Sequence, residues 1–69
     1  MITIKPLVRQ FKQSDLTQVA FSERVGVDKG RFSRMMSGQI LPNIREVDRI
    51  CSALKCSVQD VIEWEEENE

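Results

Sequence analysis

The chain has 69 residues, 30% of them charged and 41% hydrophobic, with a formal net charge of −1. That is one domain at most, too small for a Rossmann domain or a barrel enzyme, and a chain this short buries only about 60% of the surface its unfolded form exposes. No stretch approaches the roughly 20 apolar residues of a membrane span. No basic segment followed by an apolar run marks a secretory signal, so a soluble cytoplasmic protein is the expectation.

Met1–Ile4 alternates weakly and reads as a short extended arm. The first helix is predicted from Ile4 to Gln13, with Pro6 confined to the first turn, where its missing N–H does no harm. Leu7, Val8 and Phe11 make its apolar stripe, and Ser14-Asp15 interrupts it. The second helix starts at Thr17, a good cap residue, and stops at Gly26. Asp28 follows as the next cap, and the third helix runs from Lys29 to Ser37, closed by Gly38.

The fourth helix opens with Asn43-Ile44-Arg45-Glu46, a capping-box arrangement with Asn as cap and Glu three residues later. Ile44, Val47, Ile50, Cys51 and Leu54 form its inward stripe. A weaker version of the same signal, Ser57-Val58-Gln59-Asp60, predicts a fifth helix. Val58, Val61 and Ile62 are expected to face inward, and Trp64 to close the core. The expected architecture is an all-α domain of five short helices over residues 1–64 and an acidic tail over residues 65–69.

Chemistry that the composition excludes narrows the function. Histidine is absent, which removes the commonest general base and metal ligand near neutral pH. Cys51 and Cys56 are too few for a structural zinc site. They read as a small buried hydrophobe and a loop thiol. The acids Glu23, Asp28, Glu46, Asp48 and Asp60 are spread over separate helix starts and surfaces, so neither an enzyme nor a cofactor is expected. Five of the eleven acids fall in residues 63–69, EWEEENE. Residues 1–62 therefore hold ten basic residues against six acids, a net +4. A mildly basic body precedes the acidic end.

The informative stretch is residues 16–38, LTQVAFSERVGVDKGRFSRMMSG. Two helices of about nine residues meet at a short turn containing Gly26, the helix-turn-helix arrangement whose second helix enters the DNA major groove. Phe21, Val25, Val27, Phe32 and Met35 would lock the two helices together. At about 100° per residue, Phe32, Met35 and Met36 share one face of the second helix. Gly30, Ser33, Arg34 and Ser37 lie opposite, with Lys29 and Arg31 on the flanks. Arg can pair bidentately with guanine, Lys can reach guanine or phosphate, and Ser is a short hydrogen-bonder.

These residues resemble the Cro-type (lambda-repressor-like, XRE) helix-turn-helix family. Leu16-Thr17-Gln18 is similar to the family's LTQ opening, and Gly26-Val27, Ser33-Arg34 and Ser37-Gly38 fall where it has GI, SR and NG. Pro42-Asn43 matches the PS before its fourth helix, and IREVDRICSALKCSVQDVIE resembles its LETLLKIAKALGVSLDELLE. The likeness covers roughly residues 4–64 and points to a small, single-domain branch.

The resemblance implies a sequence-specific transcription regulator, a repressor occluding its operator as a homodimer on double-stranded DNA. By position, Gln18 would contact phosphate and brace the reading helix. Lys29, Gly30, Ser33 and Arg34 would face base edges, and Arg31 and Ser37 would lie near the DNA backbone. Four positions depart from the pattern. Ser22 stands where the family has Ala, Phe32 is larger than the usual Ile or Val, Gly30 sits in the first turn of the reading helix, and Lys55 replaces a Gly. The alternative function is a protein-interaction module, an antitoxin or adaptor on the same fold.

Overall fold

The computed structural model describes residues 1–66. Among these residues the order is β1 (Ile2–Thr3), α1 (Lys5–Ser14), α2 (Gln18–Val25), α3 (Lys29–Met36), α4 (Ile44–Leu54), a single 3₁₀ turn (Val58–Asp60) and β2 (Glu63–Trp64). β1 and β2 pair antiparallel, with Ile2 opposite Trp64 and Thr3 opposite Glu63.

Local signals account for the helix boundaries. Pro6 lies in the first turn of α1, and Asp15 ends that helix in the left-handed region at φ 59°. The Thr17 hydroxyl accepts the Ala20 N–H at 3.1 Å at the start of α2. Asn43 and Glu46 form a complete capping box at α4: the Asn43 side chain accepts the Glu46 N–H at 2.8 Å, and Glu46 accepts the Asn43 N–H at 2.9 Å. Lys55 closes α4 in the left-handed region, φ 52° and ψ 48°.

The core is organised around three phenylalanines, one from each of the first three helices. Phe11 lies edge-on to Phe21 and Phe32, with ring centroids 5.3 and 5.6 Å away, and Phe21 and Phe32 are 5.4 Å apart. Edge-to-face contacts at this spacing add to the burial of large apolar area. Leu7, Val25, Met35, Ile50 and Val61 are buried around them. Phe32 is accommodated at 0% exposure despite its size. Ser22 is also buried, and its hydroxyl donates to the Val19 carbonyl at 2.8 Å, one turn back. That bond satisfies the donor that a small polar residue brings into a helix interface.

The expected fifth α-helix is replaced by the 3₁₀ turn and β2. The stretch is short and rich in β-branched residues, a poor isolated helix. Its backbone finds partners elsewhere. The Glu65 N–H donates to the Met1 carbonyl at 2.8 Å, and the N-terminal amine donates to the Glu65 carbonyl at 2.6 Å. The Leu7 N–H, one of the orphan donors of α1's first turn, donates to the Val61 carbonyl at 3.3 Å, and Gln10 Nε2 donates to the Asp60 carbonyl at 2.6 Å. The fold is thus mostly helical with a small sheet that joins the two ends of the described chain.

Three apolar expectations change with it. Trp64 does not close the core. It is 71% exposed beside its cross-strand partner Ile2, and Val61, fully buried, does the closing. Val58 is half exposed on the 3₁₀ turn. Ile44 drops out of the α4 stripe, because at the first helical position it points away from the bundle, 88% exposed. Glu65, expected in the acidic tail, sets its carboxylate 2.8 Å from Lys5 Nζ. Glu67, Asn68 and Glu69 lie outside the described residues.

Candidate nucleic-acid interface

α2 and α3 pack closely and share the buried residues Phe21, Ser22, Val25, Val27, Phe32 and Met35. The turn between them needs Gly26. Its φ is +72°, a region L side chains rarely adopt, and the Val27 N–H bonds to the Ser22 carbonyl across it at 3.0 Å. The Asp28 carboxylate then caps α3, accepting the Gly30 and Arg31 N–H groups at 3.0 and 3.3 Å.

With Phe32 and Met35 buried, the opposite face of α3 is presented outward. Lys29, Ser33 and Arg34 are exposed there, and among the described residues Lys29 and Arg34 make no ion pair. Ser37, just past the helix, is exposed, but its hydroxyl donates to the Arg34 carbonyl at 3.0 Å. Gln18 is exposed at the first residue of α2, where backbone N–H groups lack intrahelical acceptors. Gly30 is partly covered. A Cβ built on it would stand 3.1 Å from Asp28 Oδ2, so a side chain would crowd the carboxylate that caps the helix.

Arg31 is engaged within the protein. Its Nε donates to Glu46 Oε2 and its Nη2 to Glu46 Oε1, both at 2.7 Å, a bidentate fork. The Arg31 side chain is 41% exposed and that of Glu46 only 8%. The hydrogen bonds from Arg31 hold the Glu46 carboxyl below its ordinary range against the opposing effect of burial. The same carboxylate keeps the guanidinium firmly protonated. Arg49, one turn along α4, donates from Nη1 to the Gly26 carbonyl at 2.9 Å.

Glu46 and Arg49 thus act on the motif from outside it. Sequence inspection treated Arg49 as a surface charge and Glu46 as a cap residue and an isolated acid. Their i, i+3 spacing put them on one helix face, but nothing local indicated that this face meets α3 and the Gly26 turn. The half-buried Cys51 has its thiol pushed above the ordinary value, chiefly by burial.

Two helices locked through apolar residues across a tight glycine turn, with the second helix's polar face outward, define a helix-turn-helix domain. The family model of the Cro/C1-type HTH DNA-binding domain matches residues 7–67, and the chain belongs to that family. No curated protein and no solved structure matches the chain significantly. As a member of this family it is a DNA-binding regulator. No helix among the described residues is long and apolar enough to cross a membrane.

Proposed function

We propose that the protein is a sequence-specific transcription regulator that represses by occupying its operator as a homodimer and excluding polymerase. The observation that carries this reading is the outward face of α3, where Lys29, Ser33 and Arg34 stand exposed on a helix whose other side is anchored by Phe32 and Met35. Lys29, Ser33 and Arg34, with the backbone at Gly30, would contact base edges, and Gln18 and Ser37 would position the helix on phosphates. Cytoplasmic location follows from a DNA partner, and the reading calls for no cofactor and no catalysis.

The homodimer is supported by the exposed apolar residues Ile2, Val58 and Trp64, which share one shallow depression beside the sheet. The same residues favour the second reading, a protein-interaction module such as an antitoxin or adaptor. Selection of bound sequences from a random duplex pool, followed by salt titration, separates the two. A regulator yields a two-fold symmetric site with half-sites about 10 base pairs apart and a steep loss of affinity with salt. An adaptor enriches no sequence and binds no duplex at any salt.

A further inference from the structure

Glu46 is a buried carboxylate with all its charge spoken for. Oε1 accepts the Asn43 N–H at 2.9 Å and Arg31 Nη2 at 2.7 Å, and Oε2 accepts Arg31 Nε at 2.7 Å. An ionised carboxylate at 6% exposure is strongly disfavoured without its counter-charge. A DNA phosphate competing for the forked edge of Arg31 would have to strip Glu46 of that counter-charge. The Arg31 charge is also largely neutralised where it stands, so it adds little to counterion release on DNA binding.

The geometry of the contact matters as much as its charge. Arg31 lies in the first turn of α3, the end of a reading helix that approaches base edges most closely. Arg49 holds the Gly26 carbonyl at 2.9 Å, just before that turn. From one face of α4, Glu46 and Arg49 therefore hold the motif at two points on either side of the Asp28 cap. Rotation of α3 about its own axis would break the Arg31–Glu46 fork before it disturbed the Phe11–Phe21–Phe32 cluster.

Resting on the DNA-binding reading above, we propose that Arg31 and Glu46 are a positioning pair: through their bidentate contact α4 sets the orientation of the reading helix, and Arg31 supports sequence discrimination without serving as a phosphate anchor.

The test uses the full chain and a duplex selected from a random pool. Affinity for the selected and for random duplexes is measured against salt for the parent, Arg31→Lys, Arg31→Met, Glu46→Gln and the double variant Arg31→Met/Glu46→Gln, each with a thermal melt. Lys keeps the charge and the phosphate affinity but cannot reproduce the guanidinium fork. The expected result is that each single variant loses about tenfold in the ratio of selected to random affinity, and that the double variant loses no more than the worse single. Salt slopes on random duplex should stay within about one ion of the parent.

The proposal is overturned if Arg31→Lys keeps the parental ratio while Arg31→Met does not. It is equally overturned if Glu46→Gln tightens binding to random duplex and steepens its salt slope, the behaviour of an unmasked phosphate anchor. Should Glu46→Gln lack a cooperative melt, the comparison of Arg31→Lys with Arg31→Met decides alone. A parent that binds neither duplex at any salt overturns the DNA-binding reading and this role with it. A parent that binds while Arg31→Lys discriminates normally overturns only the positioning role.

Discussion

The Arg49 side chain occupies the space a side chain at Gly26 would need: a Cβ built on Gly26 would come within 2.9 Å of Arg49 Cδ, while Arg49 Nη1 donates to the Gly26 carbonyl at 2.9 Å. Gly26 therefore answers to two constraints, a positive φ and a close approach from a helix 23 residues away in sequence. The turn of the motif and the face of α4 are built against each other.

Gly26→Ala should be destabilising by about 1–2 kcal/mol from the left-handed backbone alone, with crowding against Arg49 added. Arg49 can swing aside, but only by giving up its bond to the Gly26 carbonyl. In a double-mutant cycle, Gly26→Ala and Arg49→Ala should be less than additive, since each removes the same packing. Full additivity in urea midpoints would show that the two residues do not feel each other.

Arg34→Ala should leave the melt unchanged, because Arg34 is exposed opposite the buried Phe32 and Met35. Affinity for a selected duplex should fall by about 1–3 kcal/mol, with relaxed preference at one base position. Repeating the pool selection with the variant checks this. An unchanged consensus and affinity would remove Arg34 from the base-reading set.

Stability should depend on pH through Glu46. Its carboxyl titrates below the ordinary value of 4.5 in the folded protein because Arg31 donates to it, with the Asn43 N–H and the charge of Arg49 acting the same way. The unfolded chain binds this proton more readily, so the stabilisation is complete above about pH 4.5 and is lost as pH falls through the lower folded value. Urea midpoints of the parent and Glu46→Gln should converge as pH drops from 6 towards 3, within the order of precision of such linkage. A gap that stays constant over that range would mean the carboxylate charge is not what stabilises the fold.

Lys55→Gly should be stabilising. Lys55 sits at φ 52°, where an L side chain is disfavoured by roughly 1–2 kcal/mol. The added freedom of glycine in the unfolded chain offsets part of that gain, leaving a net of about 0.5–1 kcal/mol and a rise of a few degrees in Tm. A lower Tm would indicate that the Lys55 side chain makes a stabilising contact.

What the sequence by itself determined lies where the physics is local. Thr17, Asp28 and Asn43 cap helices because each side chain reaches N–H groups two or three residues on. Gly26 marks a turn, and a 3.6-residue period places Phe32 and Met35 inward and Lys29, Ser33 and Arg34 outward. These interactions span four residues or fewer, so the order of letters is enough to read them. What only the tertiary structure decided spans long separations. Residues 57–64 carried a weak helix signal, yet pairing with Met1–Thr3 at the far end of the chain drew Glu63–Trp64 into a strand and turned Trp64 outward. Arg31 meets Glu46 fifteen residues away, and Arg49 meets Gly26 across twenty-three. A buried carboxylate takes whichever cation the packing of α3 and α4 brings within reach, and that choice is made by the folded chain as a whole.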